Sequence, residues 1–72
     1  MKTTTRKFFN TRNYSLTEYY VILIEKMVIT IELNHFDKIY EEMKLKRAST
    51  EKEAETLFET TCNELLKNNE EV

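Results

Sequence analysis

Met27, Ile29, Ile31 and Leu33 alternate with Val28, Thr30 and Glu32 along the middle of the chain. A period of two is that of a half-buried β-strand, apolar on one side and more polar on the other. The preceding stretch is apolar on both parities, with Tyr19, Val21 and Leu23 on one and Tyr20, Ile22 and Ile24 on the other. If Glu25 and Lys26 form a two-residue turn, the two runs make a hairpin in which Tyr20, Ile22 and Ile24 share a face with Met27, Ile29 and Ile31. Tight hairpin turns favour Asn-Gly or Asp-Gly because they need positive φ, so one long bent or bulged strand is an alternative. A helix opened by the Ser15 to Glu18 capping-box spacing is a third, opposed by the density of β-branched residues.

The spacing changes after residue 34. Ala54, Leu57, Phe58, Thr61, Cys62, Leu65 and Leu66 recur at intervals of three and four, the stripe of an amphipathic helix. Thr50 and Glu53 stand at capping-box spacing before it, and Asn68 and Asn69 follow it. This predicts a helix over about 50–68. Phe36, Ile39, Tyr40 and Met43 repeat the same spacing after Asn34, which predicts a shorter helix over about 35–46. The competing reading of residues 38–47 is a strand, because Met43 and Leu45 alternate with Lys44 and Lys46. The expected fold is thus α+β: a small antiparallel sheet from residues of about 19–33, packed on one face by two helices. Residues 15–72 form the expected single compact domain, preceded by an arm over 1–14.

Two helices cover one sheet face. The expected core is Ile22, Ile29 and Ile31 against Phe36, Leu57, Phe58 and Leu65, which leaves Tyr19, Val21, Leu23 and Val28 uncovered. An exposed apolar patch of that size marks a binding surface. Tyr19, Val21 and Leu23 are therefore candidate protein-binding residues, with a second copy of the chain or a target protein as the cover. The competing possibility is that the arm folds back as an extra strand and Phe8 or Phe9 covers them.

Charge sharpens this picture. The formal net charge is −2, but residues 1–14 carry Lys2, Arg6, Lys7 and Arg12 and no acid, so a basic arm precedes an acidic body. Glu51, Glu55 and Glu59 recur every four residues along one helix face. Like charges at that spacing are mildly destabilising, and although a solvated surface accounts for them most simply, they are also candidate contacts for a basic groove on a protein partner.

Composition removes several chemistries. Glycine and proline are absent, which excludes the glycine-rich phosphate loops. One cysteine, Cys62, allows no internal disulfide, and with one histidine, His35, it is too few for a common zinc site. Cys62 sits on the apolar helix stripe as inert core, and His35 at a strand-to-helix junction has no paired nucleophile. No catalytic residue, metal, cofactor or small-molecule substrate is expected. "MKTTTRKFF" lacks the continuous apolar core of a signal peptide, and the apolar run is broken by Glu25 and Lys26 before it reaches membrane-spanning length. A cytoplasmic location without membrane contact follows. A chain of 72 residues buries a modest core and is helped by a partner chain, so a homodimer is expected. An abundance of Lys, Asn, Ile, Phe, Tyr and Met fits an AT-rich gene, as in low-GC bacteria and their phages.

The order strand, helix, helix from Met27 to Lys67 resembles the ribbon-helix-helix arrangement of dimeric DNA-binding repressors. The resemblance implies that Val28, Thr30 and Glu32 read bases and that Thr50, Glu51 and Glu53 approach phosphate. Arg6, Lys7 and Arg12 would track the backbone while Phe8 and Phe9 stack on bases. Glu32 and Glu51 oppose this reading, since affinity for nucleic acid rests on basic residues. The leading expectation is a non-catalytic regulatory or inhibitory protein that docks on another protein, of the kind a phage or mobile element directs against a bacterial nucleic-acid enzyme. The alternative is the repressor-like DNA binder.

Overall fold

The computed structural model describes residues 2–12, 15–35 and 39–72. The chain builds strands β1 (Thr3–Arg12), β2 (Ser15–Ile24), β3 (Met27–His35) and β4 (Ile39–Arg47), then helix α1 (Glu51–Leu66) and a two-residue strand β5 (Glu70–Glu71). The strands form one antiparallel sheet in the order β4-β3-β2-β1-β5. The Cα framework measures 40 × 21 × 16 Å, thin enough for one helix layer on one sheet layer. The fold class is α+β, as the alternating and helical periods together require.

The hairpin between β2 and β3 turns at Glu25 and Lys26, with Ile24 paired to Met27 across a two-residue connection. Glu25 takes φ 53°, in the left-handed region, where a side chain crowds its own backbone. A complete two-strand ladder from Leu16↔His35 to Ile24↔Met27 outweighs that local cost. Glycine adopts this φ without a Cβ clash. Glu25→Gly is therefore expected to stabilise the fold by about 1 kcal/mol, raising Tm by roughly 4–8 °C in a domain of this size. A thermal melt of the two proteins checks it.

Residues 39–47 are a strand and not the second helix expected over 35–46. The spacing of Ile39, Tyr40 and Met43 suits either structure; Phe36 lies outside the described residues. What decides is pairing: β4 runs beside β3 from Ile39↔His35 to Arg47↔Met27, satisfying backbone groups that a bare β3 edge would leave open. Ala48 N–H closes that end by donating to the carbonyl of Lys26 at 2.8 Å. The ribbon-helix-helix order from Met27 to Lys67 is accordingly not formed.

α1 begins as its capping residues indicate. Thr50 is the N-cap and its hydroxyl accepts from Glu53 N–H at 3.1 Å. The Glu53 carboxylate accepts from Ser49 N–H at 3.1 Å, one residue before the usual capping-box donor. At the other end Asn69 Nδ2 donates to the Leu65 carbonyl at 2.7 Å. Ala54, Phe58 and Cys62, spaced four apart, form its buried stripe.

Phe58 and Cys62 of that stripe pack with Phe8 of β1, Val21 of β2 and Val28 of β3, and Tyr19, Leu23, Leu57 and Leu65 lie around them. Phe8, Val21, Ala54 and Cys62 are fully buried. Thr17 is buried beside this core, and its hydroxyl accepts from Asn34 Nδ2 at 3.1 Å. The basic stretch expected as an arm is thus β1, a strand whose Phe8 closes the core. β5 had no sequence signal. It is held by Val72 N–H donating to the Lys7 carbonyl at 3.0 Å and by the Arg6–Glu71 ion pair.

Candidate docking surfaces

Register places the side chains of β1 to β4 on two faces. The helix side carries Phe8, Tyr19, Val21, Leu23 and Val28. The far side carries Tyr20, Ile22 and Ile24 from β2, Met27, Ile29, Ile31 and Leu33 from β3, and Met43 and Leu45 from β4. Nothing among the described residues packs on this far side. Its centre is half-buried only because strand neighbours crowd each other, while Met43 and Leu45 at the β4 edge are 65 % and 47 % exposed.

This reverses the expected assignment. Tyr19, Val21 and Leu23, the candidate protein-binding residues, lie under α1, and Val21 has no exposed surface. The isoleucine face expected to be core is the open one. The single helix covers Phe8, Val21 and Val28, one residue from each of β1, β2 and β3. The isoleucine face is apolar over β2, β3 and β4, and the second helix expected to help cover it is β4. At about 25 cal/mol per Å², each 100 Å² of it taken out of water is worth ~2.5 kcal/mol.

The charges on the open face are paired or peripheral. Lys7 Nζ lies 2.7 Å from Glu18, and His35 Nε2 lies 3.0 Å from the other oxygen of the same carboxylate. Lys7 also sits 5.3 Å from the Tyr20 ring centroid, within cation–π range. Hydrogen bonding to Lys7, with a smaller contribution from His35, holds the Glu18 carboxyl below its ordinary value of 4.5. In the window between those two values the folded protein binds fewer protons than the unfolded chain. The stabilisation is therefore complete above about pH 4.5 and is lost as pH falls through the folded value. The Arg6–Glu71 pair lowers Glu71 in the same direction. Tm is expected to fall on acidification below pH 4.5, and Glu18→Gln to remove part of that drop. An identical pH profile for Glu18→Gln would assign none of it to this pair.

The remaining sequence candidates separate clearly. Glu51, Glu55 and Glu59 are exposed along α1, on the side of the molecule away from the open sheet face. Of the basic stretch, Arg6 makes a two-bond pair with Glu71 at 2.7 and 2.6 Å and lies over the Phe8 ring, and Lys7 is held by Glu18. Phe8 is in the core, Phe9 is half-buried on the open face, and Arg12 is exposed. Two of the three cations proposed to track phosphate are thus neutralised within the fold, and one of the two stacking rings is inaccessible. Cys62 is buried, and that burial pushes its thiol above the ordinary value. His35 ends β3 rather than standing before a helix, and it is the Glu18 partner. Among the described residues, no three His, Cys, Asp or Glu side chains gather as a metal ion would need. No described helix is long and apolar enough to cross a membrane.

What the fold and its surfaces define is a small α+β protein with one sheet face closed by a helix and the other covered by none of the described residues. The chain matches no family model, no curated protein and no solved structure.

Proposed function

We propose that this chain is a non-catalytic binding protein of the regulatory or inhibitory kind, which acts by laying its open sheet face against another polypeptide. The observation that carries this reading is the uncovered face centred on Ile22, Ile29 and Ile31, since monomers rarely leave so contiguous an apolar patch to solvent. With that face covered, Glu51, Glu55 and Glu59 still point to solvent. A basic groove, such as the nucleic-acid channel of an enzyme, is their electrostatic complement, which keeps an inhibitor of a nucleic-acid enzyme, of phage or mobile-element origin, as the target-level proposal. The internal pairing of Arg6 and Lys7 and the burial of Phe8 favour protein docking over the DNA-binding alternative.

Met27 and Met43 both lie on the open face and report its cover. Oxidation by peroxide requires access to the thioether. Their oxidation rates, read by mass spectrometry, are expected to be suppressed in the purified protein or in an extract of cells expressing it, relative to the same chain diluted to nanomolar concentration. Equal reactivity under all three conditions would end the reading.

A further inference from the structure

We infer that the polypeptide covering the open face is a second copy of this chain, stacked face to face to give a helix-sheet-sheet-helix sandwich. The inference rests on the docking role of that face and names its occupant. Three observations carry it.

The first is extent. Four strands at about 4.8 Å and five side-chain rows at about 6.8 Å outline roughly 650 Å² per copy. Two copies then remove about 1,300 Å² from water, within the range of stable specific interfaces.

The second is self-complementarity, which follows from register. A two-fold axis along the line between β2 and β3 keeps each row and exchanges the columns. It lays Ile22 on Ile29, Tyr20 on Ile31 and Ile24 on Met27 of the copy. Sheets stacked in this way cross at about 30°, so the pairing holds best near the axis, where these residues lie.

The third is charge. The open face of β1 to β4 carries Lys7 and Arg47 against Glu18 and Glu41, a balanced set, and Glu18 is already paired with Lys7 and His35. Lys7 lies on the outer column β1 and Glu41 on the outer column β4, one row apart. The same two-fold axis therefore brings each Lys7 beside the Glu41 of the copy. A face with no net repulsion against itself, apolar in the middle and charged at its margins, has the anatomy of an isologous interface.

Pairing of two β4 edges is the competing way to make a dimer. It leaves the apolar face open and doubles its size, and β4 carries Glu41, Glu42, Lys44, Lys46 and Arg47, the charges with which edge strands resist such addition.

Light scattering after size exclusion, over a dilution series from micromolar to sub-millimolar protein, tests the inference. The wild type is expected at twice the chain mass of 8.7 kDa. Ile29→Lys is expected at the single-chain mass with its circular dichroism spectrum unchanged, and Asn63→Lys on the outer side of α1 at the double mass. If Ile29→Lys does not fold, Met43→Lys takes its place, since Met43 is already 65 % exposed in one copy. A wild type of single-chain mass throughout would overturn the second copy as occupant. The docking role would then survive if Met27 and Met43 are still protected in extract, and fall with it if they are not. Double mass retained by folded Ile29→Lys and Met43→Lys would overturn the face-to-face arrangement in favour of the β4 edge.

Discussion

Phe58→Ala is expected to cost about 3–5 kcal/mol, the range for truncating a large buried aromatic ring. Phe58 is 5 % exposed and is the largest side chain that α1 contributes to the core, where Phe8, Val21, Val28 and Cys62 surround it. A chain of 72 residues has a total stability on the order of 4–11 kcal/mol at 0.05–0.15 kcal/mol per residue. The substitution therefore removes a large share of it, and Tm should drop by more than about 12 °C. Leu66→Ala, on the same helix but 40 % exposed, is the control and should cost less than about 1 kcal/mol. Urea melts of both variants give the comparison. Similar losses for the two would mean that α1 does not pack through its Ala54, Phe58 and Cys62 stripe.

Deleting residues 1–12 should abolish the fold altogether. These residues read as a basic arm, and removal of an arm leaves a domain intact. In the structure they are β1, paired along its whole length with β2 from Thr3↔Ile24 to Arg12↔Ser15 and holding β5 on its other edge. Phe8 is fully buried, so the deletion opens a ring-sized hole over Val21 and exposes the β2 edge. Circular dichroism of the truncated protein should show no cooperative thermal transition. A transition close to that of the full chain would restore the arm as a detachable segment.

What the sequence made legible follows from how local each signal is. The helix at Glu51–Leu66 was readable because its cap at Thr50 and its stripe from Ala54 to Leu65 lie in one continuous segment. The strand from Met27 was readable from alternation. Residues 39–47 were ambiguous because Ile39, Tyr40 and Met43 satisfy a helical period while Met43 and Leu45 satisfy a strand period, and only the neighbouring β3 edge resolves the choice. β1 stood only as the alternative to a basic arm, because composition obscured it. Lys7 and Arg6 read as a solvated tail, but Glu18 and Glu71, eleven and sixty-five residues away, neutralise them. The faces were exchanged for a related reason. By parity alone the isoleucine side is the more apolar and so the natural core, yet α1 packs together with Phe8 of β1 on the Tyr19, Val21, Leu23 and Val28 side. The candidate docking surface was thus visible as an excess of apolar residues, and its location depended on contacts distant in sequence.

Neighbouring residues on β3 tell the two sheet faces apart, because Val28 points into the core at 2 % exposure and Ile29 points to the open face. A lysine at each position in turn, followed by far-ultraviolet circular dichroism through a urea titration, compares the two faces in one measurement. Val28→Lys is expected to be unfolded without denaturant, since it places a charge inside the helix-covered core, while Ile29→Lys folds and unfolds cooperatively. A folded Val28→Lys beside an unfolded Ile29→Lys would contradict this, placing the core on the isoleucine side and leaving no open face to dock.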